Sequence, residues 1–119
     1  MSGNINFNGW LNDDGSENYK CRAWVNFNGT GTVAIRASGN VSTITDNGTG
    51  DYTVNFTTAM VDADYSANVT ADVGGVADFA VASTGDSSTA RTTSLVRTRI
   101  GTTGGVPADS TILTVAIFS

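Results

Sequence analysis

The sequence predicts an all-β fold, a single antiparallel β-sandwich or barrel-like domain of about eight short strands, and three observations carry that expectation. Helical periodicity is missing along the chain, where Leu and Lys are scarce. Apolar and polar residues alternate with period two in one segment after another. Glycine recurs at short intervals, 14 times in 119 residues, with Asn-Gly and Gly-Gly pairs where a chain would reverse. A chain of this length is one domain by size, long enough to bury a modest core without metal or disulfide staples.

Residues 1–19 read as an N-terminal arm or docking segment: Asn4 to Trp10 alternates, and Asn12 to Asn18 is loop. Residues 20–119 then form the sandwich. Cys21 to Asn28 places Cys21, Ala23, Val25 and Phe27 on one face and Arg22, Trp24 and Asn26 on the other. Gly29-Thr30-Gly31 turns this strand into Thr32 to Ala37, with Val33, Ile35 and Ala37 on one face. Val41 to Thr45 is a third strand, followed by Asp46 to Gly50, the strongest turn signal because Asn47-Gly48 readily takes positive φ.

Tyr52, Val54 and Phe56 alternate with Thr53, Asn55 and Thr57, the pattern of a sheet with one buried face. The next strand carries Tyr65, Ala67, Val69, Ala71 and Val73; Gly74-Gly75 reverses it, and Ala77, Phe79 and Val81 are expected to pair back on it. A looser stretch from Ser83 to Thr89 leads to Thr92 to Ile100. A Gly-rich loop from Gly101 to Asp109, holding the single proline, Pro107, precedes Thr111 to Phe118. The near-continuous apolar run of that last strand implies burial on both faces.

Composition excludes several functions. A net charge of −5 with only six Lys and Arg argues against nucleic-acid binding, which needs clustered cations to neutralise phosphates. No segment approaches the roughly 20 apolar residues of a membrane span. Charged residues are 14% of the chain, well below the roughly 25% of globular proteins, so the surface consists of neutral hydroxyls and amides. That surface suits a protein working outside a cell. The opening residues lack a secretory signal, and the lone Cys21, read as a small buried hydrophobe, makes no intrachain bridge. Assembly in a host cytoplasm followed by release on lysis, as virions do, reconciles these features.

The runs Ala23 to Ser38, Asn40 to Ser42 and Ile44 to Met60 resemble a module found repeatedly in phage tail-fibre and virion structural proteins, notably of marine and cyanobacterial phages. The resemblance spans about Cys21 to Tyr65. It departs from the family pattern at Val61, where a proline usually follows the Met, and it does not extend past Tyr65. It implies a fibre-borne, usually trimeric β module near the host-facing end, and it carries no assigned receptor residues.

Catalysis is not expected. The absence of His removes Ser-His-Asp and Cys-His machinery and the usual zinc ligands. Asp62 with Asp64, or Asp13 with Asp14, could pair as in a glycosidase, but all four fall in predicted loops. The cluster from Asn12 to Glu17 offers hard oxygens without the alternating spacing of a calcium loop, and reads as a solvated acidic turn, so no metal or cofactor is expected. Five Asn-X-Ser/Thr sequons, at Asn28, Asn40, Asn47, Asn55 and Asn68, are compositional in a chain so rich in these residues.

Two residue sets remain. If successive strands reverse, the turns at 28–31, 46–51, 74–75 and 101–109 all project from the end opposite the N-terminal arm. Asn28, Thr30, Asn47, Thr49, Asp51, Thr102, Thr103 and Asp109 are therefore the candidate receptor-binding residues, since loops on a rigid scaffold commonly carry recognition. Arg22 and Trp24, opposite the core-facing set of their strand, and Arg97 and Arg99, which share a face, are candidate subunit-interface residues, because Arg and aromatics are enriched at interface cores. The arginine pair alternatively binds anionic surface glycans, lines a trimer axis or is balanced by Asp on neighbouring strands.

The expected role is a virion appendage: a homotrimeric fibre part, partnered by other virion tail proteins, that binds a host-surface glycan or protein. A purely structural virion component without receptor binding is the second reading. A polysaccharide depolymerase, which would need paired carboxylates in a groove, is the third.

Overall fold

The computed structural model describes residues 4–6, 9–11, 14, 20–72, 80–84, 90–102 and 104–119. Among them there is no helix. Two short strands, β1 (Asn4–Asn6) and β2 (Gly9–Leu11), pair antiparallel as a hairpin within the expected arm. Eight more follow: β3 (Cys21–Asn28), β4 (Ala34–Gly39), β5 (Val41–Gly48), β6 (Asp51–Phe56), β7 (Ser66–Ala71), β8 (Ala80–Thr84), β9 (Leu95–Thr102) and β10 (Leu113–Phe118). They form two four-stranded antiparallel sheets, β4-β3-β10-β7 and β5-β6-β9-β8.

The inner faces meet as period-two alternation demands. Ala23, Val25 and Phe27 of β3 and Leu113, Val115 and Ile117 of β10 pack against Tyr52, Val54 and Phe56 of β6 and Val96 and Ile100 of β9. Phe27 meets Tyr52 edge-on, with ring centroids 5.4 Å apart, and Phe56 meets Tyr65 likewise at 5.9 Å. Both contacts use the offset geometry that aromatic quadrupoles favour.

Bulges explain where the simple alternation fails. Between β3 and β10 the partners step from Ile117–Ala23 to Phe118–Cys21. Arg22 is thus an extra residue, and Cys21 is thrown out of the inward set and exposed. The expectation of a buried thiol is overturned on this point. We predict that Cys21 of the folded protein reacts with an aromatic disulfide reagent about as fast as in denaturant; protection by orders of magnitude would return it to the core. A second bulge leaves Arg36 extra between the Phe27–Ile35 and Asn26–Ala37 pairs, so Ile35 and Ala37 do not share a face as periodicity implied. Both are exposed on an edge strand.

The Asp46 to Gly50 turn is shorter than expected. β5 continues to Gly48 with a bulge at Asn47, and only Thr49 and Gly50 bend. The last strand is buried on one face: Ile112 and Phe118 are exposed, because β10 lies between β3 and β7 with its other face open. β8 pairs with β9 in the second sheet and does not return to β7. The Gly74-Gly75 turn and the stretch 85–89 lie outside the described residues.

Each strand from β3 to β10 reverses the one before it, although the chain changes sheet four times, first at Asn40, and is not a simple meander. Asn40 makes that first change at φ 56, a backbone region that Asn tolerates better than most residues. Its amide bridges the crossing: Nδ2 donates to the carbonyls of Arg22 and Thr58, each at 3.0 Å, and Oδ1 accepts from the Thr58 N–H at 2.7 Å. Lys20 and Ser119 share this end of the sandwich, joined by the Ser119 N–H to the Lys20 carbonyl at 3.4 Å.

A candidate binding cleft at the loop end

At the opposite end, the β3–β4, β5–β6 and β9–β10 connections are tied to one another by hydrogen bonds that span long stretches of sequence. Asp109 Oδ1 accepts the Gly50 N–H at 2.8 Å and lies 2.5 Å from the Tyr52 hydroxyl. That hydroxyl is also 2.7 Å from the Gly29 carbonyl; its single proton serves one acceptor at a time. Gly29 N–H donates to the Ser110 carbonyl and Ile100 N–H to the Gly50 carbonyl, at 2.9 and 2.8 Å. Ser110 Oγ caps the carbonyl of Asp72, which follows β7, and that of Ile112. Burial, and then the Asp109 carboxylate, push the Tyr52 phenol well above its ordinary range.

The β5–β6 and β9–β10 connections, with the adjoining strand ends, frame an open cleft of about 330 Å³ on the side of the second sheet. Thr49 and Thr102 supply hydroxyls, Ile100 and Pro107 supply apolar wall, and Asp51 and Arg99 supply charge. The charges are unequal in availability. Arg97, on the same outward face, donates Nε to Asp51 Oδ1 at 2.8 Å and Nη2 to Oδ2 at 2.5 Å, a two-pronged pair that occupies both carboxylate oxygens. The guanidinium holds the Asp51 carboxyl below the usual carboxylate range. Arg99, opposite Asp51 in the β6–β9 register, is exposed; its guanidinium makes no hydrogen bond among the described residues, while its charge adds to the lowering of the Asp51 carboxyl.

The Asp51–Arg97 pair is partly solvated, so its contribution is modest. We predict that Asp51→Asn lowers stability by roughly 0.5–1 kcal/mol at neutral pH. A carboxyl depressed in the folded state contributes above its unfolded value, near 4, and loses that contribution as the solution becomes more acidic. The gap between wild type and variant, followed by denaturant titration, should therefore narrow progressively as the pH falls below about 4 and through the folded-state value; a gap independent of pH would remove the ion pair as its source.

The remaining expected site residues separate. Asn28 and Thr30 sit at the loop end on the first sheet, where Asn28 Oδ1 accepts the Thr30 N–H at 2.9 Å and hydroxyl at 2.7 Å. Asn47 Nδ2 donates to Thr53 Oγ1 at 2.8 Å on the outer face of the second sheet. Asp109 is engaged in holding the connections together, as above. Thr103 lies outside the described residues. Of the four interface candidates, Arg22 is half-buried at the far end with Nε donating to the Ser119 carbonyl at 3.3 Å. Trp24 stands on the outer face of the first sheet, and Arg97 and Arg99 stand on that of the second. No single surface unites them.

Sequence reasoning missed Tyr52 as a clamp, because its place in the alternation marks it only as core; nothing local reports that its hydroxyl reaches Gly29 and Asp109. Asp62 and Asp64 form a local turn, with Asp62 Oδ1 accepting the Asp64 N–H at 2.9 Å. No family model matches the chain, and neither the curated proteins nor the solved structures provide a match.

Proposed function

We propose that this chain is a bacteriophage tail-fibre or virion-appendage module that attaches to a host surface through its loop end, acting as a homotrimer with other virion tail proteins. The observation that carries this reading is the interlocked loop end with its cleft, at the pole opposite Lys20 and Ser119. A scaffold that fixes its connections at one pole presents them without an ordering cost on contact. The resemblance over Cys21 to Tyr65 and the neutral polar surface support the same reading. Each contact is weak, and three copies per fibre multiply it by effective concentration.

A second reading, a structural virion part without receptor binding, draws on the outer face of the first sheet. There Trp24 is 44% and Phe118 41% exposed, and the Trp24 indole lies against Gly39, where an added Cβ would fall 2.5 Å from Nε1. Large exposed aromatics of this kind suit a neighbouring subunit. Light scattering for molar mass, followed by adsorption to a panel of marine bacterial cells, separates the two. A trimer that adsorbs is expected; a trimer that adsorbs to none favours the structural part, and a stable monomer that adsorbs to none overturns both.

A further inference from the structure

We propose that the loop-end cleft binds an anionic sugar unit, a carboxylate or sulfate ester on a surface saccharide, with Arg99 as the residue that recognises the charge; this rests on the reading of that end as the attachment pole. The two arginines that share a strand face differ in what they can offer. Arg97 has its guanidinium committed to both oxygens of Asp51, whereas the Arg99 side chain is exposed in the cleft and its guanidinium makes no hydrogen bond among the described residues. A guanidinium has five donors in a rigid fork that matches a carboxylate or sulfate edge. Both Asp51 oxygens are engaged by Arg97, so Asp51 attracts the Arg99 charge without a hydrogen bond to its guanidinium.

The other walls suit a sugar ring. Thr49 is exposed and Thr102 half-buried, so both hydroxyls can exchange hydrogen bonds with ring hydroxyls, while the Pro107 ring offers an apolar face to sugar C–H groups. Asp46 and Asp109, at the same pole, oppose an anion. Each has an oxygen committed to a backbone N–H, of Gly48 at 3.0 Å and Gly50 at 2.8 Å, but their charge remains. With a chain charge of −5, the cleft must bind weakly and locally, in the regime where repeated sites are needed.

The test titrates the full chain by calorimetry with three probes of matched length: oligogalacturonate, sulfated dextran oligomer and neutral dextran. Adsorption to cells is measured in parallel. Arg99→Gln removes the charge without breaking a described hydrogen bond, and Arg36→Gln, an exposed arginine on β4 in the other sheet, controls for net charge. Expected is binding of at least one anionic probe and none of neutral dextran, weakened about tenfold or more by Arg99→Gln and unchanged by Arg36→Gln. Preference for the galacturonate or the sulfated oligomer identifies the group. Equal weakening by both variants, or no anionic probe bound by wild type, overturns the inference. Cells that adsorb wild type and Arg99→Gln equally overturn it while sparing the attachment reading, and a probe bound by a protein that no cell adsorbs does the reverse.

Discussion

Gly50→Ala should cost about 3 kcal/mol or more of folding stability, near the upper end of single-residue effects. Gly50 has φ +65, where an L side chain is strained, and it is packed from above. A Cβ would fall inside the contact distance of the Ile100 carbonyl oxygen and 2.9 Å from both the N and O of Ala108. These are backbone atoms, so no rotamer change relieves them. The N–H and C=O of Gly50 are also the links to Asp109 and Ile100, and moving the backbone to admit a methyl group breaks both. Equilibrium denaturation measures the loss. A cost below about 1 kcal/mol, the ordinary strain of alanine in that region, would show that the β9–β10 connection yields easily.

Tyr52 should show the next largest effect, in a graded series. Its side chain is fully buried between the sheets, so Tyr52→Ala removes a ring from the centre of the core and should cost about 3–5 kcal/mol. Tyr52→Phe keeps the ring and its edge-on contact with Phe27, and removes only the hydroxyl shared by Gly29 and Asp109; about 1–2 kcal/mol is expected. The two variants also differ at high pH. A phenol whose folded pKa is raised contributes stability that is complete below the unfolded tyrosine value of about 10 and is lost above it. Wild type should therefore lose stability above that pH more steeply than Tyr52→Phe. Some alkaline loss persists in the variant, because burial also raises the Tyr65 phenol. Identical alkaline profiles would mean that the Tyr52 hydroxyl is not held as described.

What was legible in the sequence is what local periodicity encodes. Ala23, Val25 and Phe27, and Tyr52, Val54 and Phe56, announce their buried face by alternation and occupy it. The shared pole of the connections at 28–31, 46–51 and 101–109 also follows from strand reversal alone, and survives the chain's changes of sheet. What was not legible is long-range. Neither β8 nor β10 carries a signal of its neighbour, since pairing between distant strands is decided by which faces remain to be covered. The bulges at Arg22, Arg36 and Asn47 are single-residue insertions in register, invisible to a period-two count until a partner strand is known. The cleft shows the same division. Arg97 and Arg99 are equivalent by sequence, and the approach of the Asp51 carboxylate from β6 to Arg97 distinguishes them.

The placement of β3 beside β10 has a mechanical consequence. The strands run antiparallel, with Cys21 opposite Phe118, so a pull that separates residue 20 from residue 119 loads their ladder one rung at a time and peels it from the end. A pull between that pole and the loop end runs along the strands, and the hydrogen bonds, which lie across them, are loaded together in shear. Tethered at one pole and tugged at the other, the sandwich meets tension along its strong axis.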